Sequence, residues 1–105
     1  MLRIYSDMLG AIVAMRPLIA AIERRDADLG RQLRRAASSV TLNVAEGSGS
    51  SGGVRNARYR TALGSARETV ACLDTAEAFG YIASTPREVA ATMNRIIGTL
   101  VRVTT

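Results

Sequence analysis

Apolar residues recur at helical spacing in four successive segments, and nowhere does the chain alternate apolar and polar residues as a half-buried strand would. That periodicity restricts the fold to helices packed on helices. The first segment covers about residues 6–24, with Ile4, Met8, Ile12, Met15, Ile19 and Ile22 on one face. Leu9 and Val13 lie on another side, so this helix is apolar nearly all round. Pro17 has no amide hydrogen and should kink or split the helix near Arg16. Asp26 or Asp28 caps a second helix over 27–46, whose stripe is Leu29, Leu33, Ala36, Ala37, Val40 and Val44. Leu42 projects from the opposite side and hints at a second contact surface.

Residues 47–53, Gly-Ser-Gly-Ser-Ser-Gly-Gly, read as a flexible linker. The third helix, 54–79, carries Tyr59, Ala62, Leu63, Ala66, Val70 and Leu73 on one side. Ala57, Gly64, Ala71, Cys72 and Phe79 lie on the other, a face small enough for another helix to approach, so this helix is expected to be buried on two sides. Gly80 closes it, with Ile82 supplying the hydrophobic contact of a Schellman-type ending. Thr85 as N-cap, Pro86 at N1 and Glu88 as capping-box partner start a fourth helix over 86–103. Its buried side is Val89, Met93, Ile96, Ile97 and Leu100. The expectation is one domain over 1–105, an all-α antiparallel up-down-up-down four-helix bundle. The outer Leu42 and the two-sided first and third helices then call for cover, which a closed ring of copies supplies.

Composition narrows function. Only 4% of residues are aromatic, so aliphatic side chains must fill the core. Histidine is absent, which removes the commonest general base and the Glu-x-x-His motif of di-iron bundles. A single cysteine, Cys72, excludes an internal disulfide and a cysteine-ligated zinc, and reads as a small packing residue. Gly47-x-Gly49-x-x-Gly52 matches a dinucleotide fingerprint by letters but follows a helix instead of a strand. No enzyme activity and no cofactor or metal is expected. The apolar run over 8–22 is interrupted by Arg16 and Pro17 and falls short of a bilayer span, and no targeting signal precedes it. The cytoplasm is therefore the expected compartment, with no membrane partner.

Two segments carry a resemblance. Ser39, Val40, Asn43, Val44, Ala45, Glu46 and Gly47 fit a Ser-Ile-x-x-Asn-Ile-Ala-Glu-Gly pattern with valine for each isoleucine. Ala62, Gly64, Ser65 and Glu68 fit Ala-x-Gly-Ser-x-x-Glu, and Phe79, Gly80, Tyr81 and Ile82 fit Leu-Gly-Tyr-Ile with phenylalanine for leucine. In this order and spacing the chain resembles the 23S rRNA intervening-sequence protein family, to which accessory proteins of diversity-generating retroelements are related. The resemblance implies an antiparallel four-helix bundle assembled as a homopentamer with a central channel. It also implies association with nucleic acid, and in the related branch with a reverse transcriptase.

The motif residues Ser39, Asn43, Glu46, Gly47, Gly64, Ser65 and Glu68 read best as structural. Asn43 needs a partner on a neighbouring helix or subunit, Gly47 ends a helix, and Gly64 marks a close approach. Glu46 sits at a helix C-terminus and requires a compensating arginine or backbone donor, and Glu68 is expected to meet an arginine at an interface. A carboxylate pair holding a hard cation is the functional rival, but nothing in the spacing fixes their separation.

The net charge of +5 comes from 14 arginines against 9 acids, with no lysine. Arg31, Arg34 and Arg35 share the outer side of the second helix, while Arg55, Arg58 and Arg60 cluster at the start of the third. The planar guanidinium fork suits phosphate, so these six are the candidate nucleic-acid contacts. No interleaved aromatic platform for single strands is evident in the sequence. The expected function is a non-catalytic, oligomeric adaptor that binds RNA or DNA phosphates. The rival is a scaffold for a protein partner, in which the charge only solubilises.

Overall fold

The computed structural model describes residues 2–105. Four helices follow one another, α1 Ile4–Arg25, α2 Ala27–Ser48, α3 Gly52–Ala78 and α4 Arg87–Thr104, and no strand occurs among the described residues. They form a four-helix bundle 42 × 24 × 20 Å across. Each helix packs on two others, α1 on α2 and α4, and α3 on α2 and α4. Between α2 and α3 the cross-helix pairs run in opposite numerical order, Ser39 with Ser65 and Glu46 with Arg58, while Glu23 of α1 meets Arg34 of α2 and Asp7 of α1 meets Arg95 of α4.

The periodic residues supply the core. Met8, Met15 and Ile22 of α1, Leu33, Val40 and Val44 of α2, and Val89, Met93, Ile96 and Leu100 of α4 are buried. From α3 come Tyr59, Ala62, Ala66, Leu73 and Ala76. The alanines let α3 lie close to α2, the most extensive helix pair in the bundle. Thr69 is fully buried without penalty, because its hydroxyl donates to the Ser65 carbonyl at 2.8 Å.

Pro17 does not split α1, which runs unbroken past it. The carbonyl deprived of its donor four residues back belongs to Val13, which is 60% exposed, so water can take the amide's place. The full length of α1 also makes it the one helix among the described residues long and apolar enough to cross a membrane by length and composition. That corrects the shorter run over 8–22 counted in the sequence, which is interrupted by Arg16 and Pro17. In the bundle six of its side chains, from Ile4 to Ile22, are buried against the other helices.

Helix ends differ from expectation at two places, and at a third the structure selects one of two expected caps. The Gly/Ser segment 47–53 shrinks to residues 49–51, since α2 continues through Ser48 and α3 starts at Gly52, whose φ is +59°. Asp26, and not Asp28, caps α2 by accepting from the Leu29 amide at 2.9 Å. Thr85 does not cap α4: its amide and hydroxyl both donate to Glu77 Oε2, at 3.3 and 3.1 Å, and α4 begins at Arg87 with Pro86 ahead of it. The α3 ending matches its expectation. Gly80 sits at φ +76°, its amide donates to the Glu77 carbonyl and the Tyr81 amide to that of Ala76, and Ile82 enters the core.

Candidate nucleic-acid interface

An open feature of the surface lies between α2 and α3. It is a polar groove of about 590 Å³ lined by Asp28, Arg31, Gln32, Arg35, Ala36, Ser39, Ser65 and Glu68. Its floor is tied together by the motif residues. Ser65 Oγ donates to Ser39 Oγ at 2.7 Å, and Asn43 Nδ2 reaches the Ser39 carbonyl and hydroxyl at 2.9 and 3.0 Å. Asn43 thus meets its own helix first and reaches α3 only through Ser39, where the sequence suggested a direct neighbour. The relay fixes the register of α2 against α3.

Glu46 finds the compensating arginine expected of it, Arg58 on α3 at 3.1 Å. Glu68 does not meet an arginine within the chain; Gln32 Nε2 approaches it at 3.5 Å. Arg58, the partner of Glu46, stands ten positions before Glu68, roughly 15 Å along the α3 axis. The two carboxylates therefore occupy separate levels of the bundle. Cys72 is buried nearby, and burial, then the Glu68 charge, push its thiol above the ordinary range.

Both motif glycines depart from their expected roles. Gly47 does not end α2. It is buried inside the helix, and a Cβ there would stand 2.5 Å from Tyr59 Cε1 and 2.6 Å from Cδ1. Gly64, expected at a close approach, has nothing within 4 Å of its Cβ position. Ala57 and Ala71 are exposed with it, so in the single chain this face of α3 is open, while Cys72 turns inward and Phe79, past the last helical residue Ala78, stands exposed at the end of the bundle. Gly30, unremarked in the sequence, makes a second tight contact, on the Glu23 side chain and Cα. Only the register of α1 on α2 could reveal it.

The six candidate arginines do not form one patch. Arg31 and Arg35 line the groove together. Arg31 is paired with Asp28 of its own helix, and Arg34 turns to the other side of α2 to meet Glu23 of α1 at 2.7 Å. Arg55 is spent on the α2 C-terminus, its Nε and Nη2 donating to the Ser50 carbonyl at 2.9 and 2.6 Å and its Nε also reaching the Gly47 carbonyl at 3.3 Å. Arg58 is held by Glu46. Arg60 lies about 140° round α3 from Ser65 at 100° per residue, and so faces away from the groove. Among the described residues Arg35 and Arg60 have no ion pair.

The groove holds two carboxylates, Asp28 and Glu68, beside its two arginines, and the ion pair within it is solvated. The Arg31 and Asp28 side chains are 64% and 91% exposed, and such solvated pairs contribute only about 0–1 kcal/mol. A phosphate offering two oxygens to a guanidinium fork can displace a single exposed carboxylate. The hydroxyls of Ser39 and Ser65 beneath are engaged with one another and serve the register first.

A family model described as 23S rRNA-intervening sequence protein matches residues 3–102. No curated protein and no solved structure matches the chain.

Proposed function

Because the chain belongs to the 23S rRNA-intervening sequence protein family, we propose that it is a non-catalytic adaptor that holds RNA or DNA phosphates electrostatically. The observation that carries this reading is the placement of Arg31 and Arg35 in one open polar groove, on a chain of net charge +5. Arg35 offers a guanidinium with no carboxylate partner, and Arg31 one held only by a solvated pair. Arg34, Arg55 and Arg58 have structural duties and contribute general charge.

In this reading the bundle is antiparallel, up-down-up-down, and assembles with copies of itself into a ring, a homopentamer in the cytoplasm. The descending order of the α2/α3 pairs, Ser39 with Ser65 and Glu46 with Arg58, supports the first part. Support for the second comes from Val13 and Leu42, about 60% exposed each, and from the open small-residue face of α3. A ring repeats the groove, and weak contacts per copy then sum to useful affinity.

The exposed Leu42 and Val13 also favour the rival, a scaffold for a protein such as a reverse transcriptase. Reversing the two groove arginines together, Arg31→Glu and Arg35→Glu, separates the readings. Gel-shift titration with a structured RNA and a duplex DNA should show binding by the natural chain and none by the folded variant. Equal binding by both proteins would remove the groove from the account, and no binding by the natural chain would leave the scaffold.

A further inference from the structure

The other exposed feature is aromatic and lies at the end of the bundle where α1 passes into α2 and α3 into α4. Phe79 is the most exposed large apolar side chain of the described residues, at 65%. Its ring stacks on Tyr81, with centroids 5.3 Å apart and planes 15° from parallel. Gly80 between them, at φ +76°, brings the two rings together. The pair is anchored. Tyr81 Oη donates to Asp26 Oδ2 at 3.2 Å while the other oxygen of that carboxylate caps α2. Arg25 lies over the Tyr81 ring, 5.7 Å from its centroid.

A flat ring held open to water by an anchored neighbour has lost its rotamer freedom before any ligand arrives, which favours stacking of a second flat group. The charge beside it points to the class of that group. Neither Arg24 nor Arg25 lies within ion-pair distance of a carboxylate among the described residues. The nearby acids are engaged, Asp26 as above and Glu77 on Thr85. An unpaired guanidinium, that of Arg25, next to one exposed aromatic face fits a base with its phosphodiester attached.

We propose that the Phe79–Tyr81 stack is a platform for one unpaired base of a single-stranded nucleic acid, with Arg25 taking the adjoining phosphate. The inference rests on the nucleic-acid reading above and adds a site distinct from the α2/α3 groove. The sequence shows no interleaved aromatic platform, because the two aromatics are brought together only by the turn at Gly80.

The test is fluorescence anisotropy of the full chain with a labelled single-stranded RNA and a labelled duplex of the same sequence. Phe79→Leu keeps an apolar side chain at an exposed position and removes the flat face, while Phe79→Tyr keeps the face. Base–aromatic stacking predicts a loss of about 5- to 150-fold in single-strand affinity for Phe79→Leu. Near-natural binding by Phe79→Tyr and unchanged duplex binding by both variants complete the expected result. Unaltered single-strand binding by Phe79→Leu, or natural protein that binds duplex alone, overturns the platform and leaves the groove standing. Natural protein that binds neither probe overturns both.

Discussion

Replacing Gly47 by alanine should destabilise the bundle, although alanine is the better helix former. Gly47 lies inside α2, where an added methyl would by itself contribute about 1 kcal/mol of helix propensity. Against that stands the Tyr59 ring, whose Cε1 and Cδ1 would be 2.5 and 2.6 Å from the new carbon. Ordinary contact needs about 3.5–4.0 Å, so the ring must retreat by roughly 1 Å. It has little room to do so. Tyr59 is only 6% exposed, and its hydroxyl shares a 3.1 Å hydrogen bond with Ser48. Overpacking of this kind costs about 1–3 kcal/mol, and loss of the hydroxyl bond adds about 1 kcal/mol. The net expectation is a loss of about 2 kcal/mol. For a domain of this size it corresponds to a midpoint about 8–16 °C lower. Thermal unfolding by circular dichroism at one fixed protein concentration measures it, since self-association would otherwise move the midpoint. Gly10→Ala is the control. Nothing lies within 4 Å of that position in the interior of α1, so it should gain about 0.5–1 kcal/mol. Gly47→Ala combined with Tyr59→Leu should lose less than the sum of the two single changes. A Gly47→Ala protein that melts at or above the natural chain refutes the reasoning.

Further consequences are open to direct measurement. Gly64 is exposed and has nothing within 4 Å of its Cβ position among the described residues, so a Gly64→Leu protomer should fold, yet a ring that uses this face should fall apart. Light scattering after size exclusion would then show a smaller species, whereas an unchanged mass removes that face from the assembly. Ser65→Ala deletes the donor to Ser39 and should cost about 1 kcal/mol. A Ser65→Ala, Asn43→Ala cycle in urea should show coupling through Ser39, and strictly additive losses would break the relay. Burial and the Glu68 charge raise the Cys72 thiol, so thiolate forms only at higher pH than in a free cysteine. The native chain should therefore react slowly with a disulfide reagent near neutral pH and quickly once unfolded, and rapid native labelling would contradict the burial.

The helices were legible because their signal is local. Four stripes such as Leu33, Ala37, Val40 and Val44 name their own buried face, and α2 buries all four. What the sequence hid depends on register between helices. Gly47 and Gly64 have the same local chemistry, and only the position of Tyr59 across the α2/α3 contact makes one tight and leaves the other open. Thr85 has the letters of an N-cap, but Glu77, eight residues earlier on α3, takes its hydroxyl. The arginines misled for a related reason. Spacing along a helix gives the face of Arg34 or Arg58 but not the Glu23 or Glu46 waiting on the next helix. Phe79 and Tyr81 were visible as residues, but their stacking required the turn at Gly80.

The most direct test of the central claim is the salt dependence of RNA binding, followed by anisotropy from low to physiological ionic strength. If Arg31 and Arg35 hold phosphates in the α2/α3 groove, affinity falls steeply with salt, and the Arg31→Glu, Arg35→Glu chain loses both the binding and the slope. Each phosphate contact should contribute about 0.7–0.9 to that slope. Binding that persists in the reversed chain with the same slope, or no binding by the natural chain at low salt, would contradict the account.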